Sequence, residues 1–203
     1  MRFNSKKCYI MSIHRKKNPL TFRYSLDNHI LEQVTENSYL GIIISHDLKW
    51  GPHINKMCNR ASSTLGFIRR NLKYSTRYFK ETAYRSLVRS VLDYASSVWD
   101  PFLKKDIDRL EGIQRKAARF VCNDYGRTSS VADLGWKPLA ERRREQRLLV
   151  FYKLVNDLVA IPASAHVEFN NRNTRTSHSM QVKFPHCNSE LFRNSFIPLT
   201  IRD

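Results

Sequence analysis

Between Arg77 and Tyr125 apolar side chains recur twice at helical spacing. Tyr84, Leu87, Val88, Val91, Leu92, Ala95, Val98 and Trp99 fall on one stripe, which Asp100-Pro101 ends. Ile107, Leu110, Ile113, Gln114, Ala117, Ala118 and Val121 then repeat the pattern, with Arg109, Arg115, Lys116 and Arg119 largely off it. The spacing predicts two antiparallel helices joined by a short Pro-containing turn, an apolar seam between them and cations outside. At about 1.5–3 kcal/mol per large buried side chain, a seam of about ten can anchor a domain against its ordering entropy.

Upstream the period shortens. Tyr9, Ile10, Met11 and Ile13 read as a short strand broken by the basic turn Arg15-Lys16-Lys17-Asn18-Pro19. Phe22, Tyr24 and Leu26 alternate in a second strand, which Asp27-Asn28 turns towards Ile30 and Leu31. Tyr39 to Ile44 is a continuous, largely β-branched run expected to be one buried strand, in which Gly41 reads either as a bulge or packing glycine or as a place where another backbone or a nucleic-acid strand comes close. From Pro52 the pattern is helical again. Ile54, Met57, Ala61, Leu65, Ile68 and Leu72 line one face, Lys56, Arg60, Arg69, Arg70 and Lys73 lie on or near the other, and Ser75-Thr76 supplies an N-cap signal for the helix that follows.

Downstream, 126–139 is loop-like and Ala140 opens a further helix with Leu148, Leu149, Tyr152, Val155 and Val159 as its stripe. Arg142, Arg143, Arg144 and Arg147 crowd its first turns, where cations oppose the helix dipole unless phosphate oxygens or acidic partners sit nearby. Residues 161–203 are polar and aperiodic and read as a poorly packed, poorly ordered tail, in which truncating Arg172 is expected to cost almost nothing. The fold class expected is α+β, predominantly α: short N-terminal antiparallel strands, a helical bundle and an irregular C-terminal tail.

Charge changes the functional picture. The 203 residues carry 35 Lys and Arg against 18 Asp and Glu, net +17, which points to a polyanionic partner. The excess is +9 over residues 1–76, +6 over 77–160 and +2 over 161–203. Cys8, Cys58, Cys122 and Cys187 are too far apart for a CxxC site and read as separate thiols of a reducing compartment. With no signal peptide and no long apolar run, the expected location is intracellular, nuclear or cytoplasmic, away from membranes. His14, His29, His46 and His53 read as turn and surface residues rather than metal ligands. Asp47, Asp93, Asp100, Asp106 and Asp108 sit at turns or helix starts, where capping accounts for them. The residues alone describe a basic, helix-rich binding module with no metal site, and an unrelated basic nuclease would need one.

A resemblance adds to this. FNSKKCYIM, YLGIIISHDLKW, HINKMCNRASSTLGFIRRNL, LVRSVLDYASSVWDP, LEGIQRKAARFVCNDY and LGWKPLAERRREQRLLVFYKLVN, in this order, resemble the reverse transcriptases of LINE-type (non-LTR) retrotransposons, in particular the Jockey-like group. The resemblance implies that residues 1–50 are the end of the palm and the primer-grip hairpin, 51–125 the helical thumb, and 126–160 a post-thumb loop and basic helix. It makes Lys7 the palm lysine that meets the leaving pyrophosphate, and Tyr39, Leu40 and Gly41 the primer grip. The thumb would hold an RNA/DNA template–primer duplex by its phosphates, through Lys56, Arg60, Arg69, Arg70, Arg115 and Arg119. The family's Tyr-x-Asp-Asp turn and earlier Asp, which hold Mg, have no counterpart here, so the chain is expected to hold no cofactor and to be inactive as a polymerase without the fingers and palm. The final NSFIPLTIRD resembles a segment that continues in the family, so both ends read as truncated. Two readings follow: a fragment of an RNA-directed DNA polymerase with a residual, sequence-independent nucleic-acid-binding role, or a host-used basic nucleic-acid-binding or assembly module without enzymatic activity.

Overall fold

The computed structural model describes residues 4–14, 16–18, 20, 22–126, 130–170 and 181–203. Arg15 and Pro19 of the expected basic turn, and Arg172 of the expected tail, lie outside them. The chain divides into two compact units, Met1–Lys56 and Met57–Asp203. Each is described by itself.

In the first unit a 3-10 turn (Ser5–Lys7), N-capped by the Asn4 side chain, leads into β1 (Tyr9–Ile10). β2 (Ser25–Leu26) and β3 (His29–Ile30) form a tight antiparallel hairpin. Its turn residues Asp27 and Asn28 both have positive φ, the primed geometry that matches strand twist. β4 (Glu32–Gln33) returns to pair with β1, and this pair is parallel, unlike the expected antiparallel arrangement of the other two. β5 (Glu36–Tyr39) and β6 (Ile42–Ser45) are antiparallel. The apolar run from Tyr39 to Ile44 is thus not one strand. Leu40 and Gly41 turn the chain with φ of 48° and 85°, and only Ile42 within the run is buried.

Helix α1 (Gly51–Asn71) starts in the first unit and continues into the second. Ile54, Met57, Ala61, Leu65 and Ile68 are buried along it as the spacing predicts. His53 is also buried, against its reading as a surface residue. Its Nδ1 accepts the Ile43 backbone N–H at 3.2 Å, so the first turn of α1 and strand β6 are tied inside the first unit.

In the second unit α2 (Arg77–Ala83) runs through a π-helical stretch (Tyr84–Arg89) into α3 (Ser90–Asp93), and α4 is Lys104–Cys122. Thr76 occupies the N-cap of α2 without a side-chain cap bond. Lys80 meets Asn123 and Tyr84 meets Gln114, so the two helical runs are antiparallel as expected. Two details depart from the sequence reading. The wider π turn keeps Lys80, Tyr84, Val88 and Leu92, four residues apart, on the buried face, and Leu87 comes out 49% exposed. Ser86 and Ser90 donate to carbonyls one turn back, at Thr82 and Ser86, a pattern that bends helices. The helix also stops at Asp93 rather than Asp100, because Ala95 turns left-handed at φ 49°. Val98 is then exposed, and Trp99 is buried in the connection with its Nε1 donating to the Tyr94 carbonyl at 2.8 Å.

A short α5 (Ser130–Asp133) precedes α6 (Leu139–Val155). The stripe expected on α6 holds only at its far end: Val155 and Val159 are half-buried, but Leu148, Leu149 and Tyr152 are exposed, and Arg143 and Arg147 are buried beside Leu139 and Leu154. Of the two compensations open to those arginines, the structure supplies acidic partners. Asp100 receives both Arg143 (3.0 Å) and Arg147, Asp93 receives Arg142 at 2.7 Å, and Asp203 receives Arg147 and Arg144. Asp93 and Asp100 are therefore ion-pair anchors for α6 and not caps. Glu111 of α4 accepts the Ala140 backbone N–H at 2.9 Å, placing a carboxylate at the positive end of the α6 dipole.

Parts of the expected loose tail are packed. Ala163 and Val167 join Leu154 in a small core with Phe151, Val159, Phe169, Val182 and Ile197 against it, and α7 (Glu190–Arg193) leads into α8 (Phe196–Arg202), which contacts α6. Phe184 and Phe192 remain exposed. The whole is mostly helical with few short strands, as the fold class requires.

Candidate nucleic-acid interface

The polar interior of the second unit sets where its cations can go. Buried Tyr84 stacks on Trp136 with ring centroids 4.4 Å apart, donates to Gln114 Oε1 at 3.2 Å, and has its phenol pKa pushed up by burial. Gln114 Nε2 donates to the Lys137 carbonyl, and Trp136 Nε1 donates to Glu81 Oε1 at 2.9 Å. That indole bond, more than the neighbouring Arg85, holds the Glu81 carboxyl below the usual carboxylate range. Lys80 is buried too, its Nζ donating to Asn123 Oδ1 at 2.6 Å and lying 5.0 Å from the Phe120 ring centroid. Asn123 can serve because it closes α4 in the left-handed conformation, φ 54°.

These bonds sort the cations into two populations. Arg85, Arg89, Lys137, Arg142, Arg143, Arg144 and Arg147 pair with carboxylates. Arg89 feels burial first and Arg142 second, and both lower its pKa; Arg142 is raised, chiefly by its hydrogen bond to Asp93. By contrast Lys56, Arg60, Arg69, Arg70, Arg115 and Arg119 have no carboxylate partner among the described residues, and all but the half-buried Arg119 are exposed. Lys56 and Arg60 are one turn apart on α1, and Arg69 and Arg70 close that helix. Arg115 and Arg119 are one turn apart on α4, Arg115 donating weakly to the Asp108 carbonyl at 3.4 Å. Within the second unit Arg69 lies 5.5 Å from the ring centroid of Tyr125, just beyond α4.

In the first unit Lys7 is exposed at the end of its 3-10 turn, and Tyr39 and Leu40 are exposed at the tip of the β5–β6 hairpin. Leu40 at positive φ holds a conformation that a side chain with a Cβ adopts at a cost of roughly 1–3 kcal/mol. Among the described residues no group of three or more His, Cys, Asp or Glu could hold a metal ion, and no helix is long and apolar enough to cross a membrane. The four cysteines are separate thiols, and burial pushes the Cys58 thiol up.

Comparison with known proteins gives one partial similarity. Over 118 residues, 56% of this chain, the sequence is 25% identical to a probable RNA-directed DNA polymerase from transposon BS of Drosophila melanogaster. The chain is similar to a transposon reverse transcriptase. The matched stretch amounts to 13% of the fly protein's length. No family model matches the chain, and no solved structure does.

One signal in the sequence locates this surface better than helical periodicity does. From Leu48 to Lys80 there is no acidic residue, and the span holds Lys49, Lys56, Arg60, Arg69, Arg70, Lys73, Arg77 and Lys80. Its second half interleaves them with Phe67, Tyr74, Tyr78 and Phe79, all exposed, which the reading for phosphate contacts alone passes over.

Proposed function

We propose that this chain is the end of the palm, the thumb and the post-thumb region of a LINE-type, Jockey-like reverse transcriptase, and that its own role is to hold a template–primer duplex by its phosphates without reading sequence. One observation carries this reading: among the described residues Lys56, Arg60, Arg69, Arg70, Arg115 and Arg119 have no carboxylate partner, while the arginines of α6 are consumed in ion pairs. A side chain without a partner keeps its full attraction for a phosphate, whereas a paired one must first break a bond. The similarity to a transposon RNA-directed DNA polymerase supports the same role. On this reading the β5–β6 tip, with Tyr39, Leu40 and Gly41, lies against the primer strand, and Lys7 faces the leaving pyrophosphate. The remaining palm and fingers are the partners that cover exposed apolar side chains of the first unit such as Leu20, Phe22 and Ile30.

The test is a titration of the purified chain on an RNA–DNA hybrid at several salt concentrations. With about four to six phosphates neutralised, log K falls against log salt with a slope of roughly −3.6 to −5.4. Replacing Arg69 and Arg70 together with Ala makes the slope shallower by about two and weakens all sequences alike. An unchanged slope would mean that these arginines are only a solvated face. A loss confined to one sequence would refute a clamp that must slide along any template.

A further inference from the structure

Where α1 ends, α2 begins and α4 ends, the second unit gathers aromatic side chains that its core does not use. The contact of Arg69 with the Tyr125 ring ties the end of α4 to the last turn of α1, and the Lys80–Asn123 bond ties the first turn of α2 to the same end of α4. Around these two ties Tyr74 is 92% exposed, Tyr78 72%, Phe79 60% and Tyr125 57%. The rings of Tyr78 and Phe79 meet edge to face with centroids 5.7 Å apart, and Lys73 Nζ lies 5.2 Å from the centroid of Tyr74. Arg70 and Arg77 complete the set, and neither makes an ion pair among the described residues. Arg77 reaches only the Asp133 carbonyl, at 3.5 Å.

Two kinds of partner could cover exposed rings. A protein partner would bury them at the cost of desolvating the four cations Arg69, Arg70, Lys73 and Arg77, for which the stretch from Leu48 to Lys80 offers no carboxylate and the flanking Glu81 and Asp124 make no ion pair with them. A polynucleotide single strand brings one phosphate per nucleotide for those cations, and an open π face per base for the rings. A duplex meets only half of this surface, because its bases are already stacked on each other. The charge pattern therefore selects the single strand.

We propose that this corner is a stacking platform for single-stranded nucleic acid, with backbone phosphates on Arg70, Lys73 and Arg77 and unpaired bases on Tyr74, Tyr78 and Tyr125. It rests on the phosphate-binding role proposed above and adds to it a contact that only unpaired bases can make. Because every base has a π face, the platform is tolerant of sequence.

The experiment measures binding of the purified 203-residue chain, by fluorescence anisotropy at one salt concentration, to three labelled ligands of equal length. These are a mixed-sequence DNA single strand, the same backbone with abasic sites throughout, and the blunt DNA duplex. The base-bearing strand should bind at least about tenfold more tightly than the abasic one. Replacing Tyr74, Tyr78 and Tyr125 together with Ala should remove that difference while leaving the abasic strand and the duplex within about twofold, and Trp at the same positions should restore it. Equal affinity of wild type for the base-bearing and abasic strands would overturn the platform and leave phosphate binding standing, whatever the variant does. An unchanged preference in the Ala variant would overturn it and assign the rings to a protein interface. Wild type that binds none of the three ligands would remove the phosphate-binding role as well, so the two failures are distinguishable.

Discussion

His53 shows how one side chain can couple a strand to a helix and make the pair sensitive to protons. Its Nδ1 accepts the Ile43 N–H, so that nitrogen must be unprotonated, and burial, with Lys56 second, lowers the imidazole pKa from 6.5 to about 4. Between these values the unfolded chain binds the proton and the folded one does not. Stability of the first unit is therefore complete above about pH 6.5 and falls as the pH drops towards about 4, by on the order of 2–3 kcal/mol. Urea unfolding at pH 7 and pH 5 should show this loss in wild type and a smaller one in His53→Gln, whose side-chain oxygen can still accept the Ile43 N–H. Equal losses in the two proteins would place the proton elsewhere. Lys80 makes a related point: its charge counts towards the net +17, yet its ammonium is spent on Asn123 inside the second unit and is closed to phosphates.

At the scale of elements, two helical runs depart in part from the burial that their composition suggests. In α2 to α3 the π stretch moves Leu87 out and keeps Val88 in, although both are apolar and adjacent. In α6 the ion pairs to Asp93, Asp100 and Asp203 draw the arginine face inward, and Leu148, Leu149 and Tyr152 face out. A buried guanidinium is tolerated only while its carboxylate is present, so the connection between α3 and α4 becomes part of the stability of α6. One series of unfolding measurements checks both helices. Leu110→Ala should cost about 2–5 kcal/mol, Asp100→Asn about 3–5 kcal/mol, and Leu87→Ala about 0.5 kcal/mol or less. A Leu87 cost equal to that of Leu110 would show that the π turn does not set the seam.

Across the whole molecule, the charge excess is not uniform in effect. Seven of the 35 cations pair with carboxylates on α6 and its neighbours, whereas Lys56, Arg60, Arg69, Arg70, Lys73 and Arg77 are exposed and make no ion pair among the described residues. A surface that holds phosphates is not a centre that transfers them: phosphoryl transfer needs metal ions held by carboxylates to stabilise the developing charge. The 203-residue chain, given a primed RNA template, magnesium and nucleotides, should bind the template–primer and incorporate nothing above background. Incorporation by a clean preparation would sink the proposed division of labour.

The sequence by itself determined the elements whose burial follows from a regular period. The α1 and α4 stripes, the outward cations Lys56, Arg60, Arg69, Arg70 and Arg115, the antiparallel pairing of α2 and α4, and the Asp27-Asn28 hairpin turn were all legible, because local spacing and turn chemistry fix them without help from distant residues. Tertiary structure alone decided the rest. The helix stopped at Ala95, His53 and Lys80 went inside, and α6 buried its arginines. The buried polar groups depend on partners outside their own helix: Ile43 for His53, Asn123 for Lys80, Asp100 and Asp203 for Arg143 and Arg147. Spacing reports which residues share a face, but which face turns inward is settled by the acceptors and carboxylates that wait there.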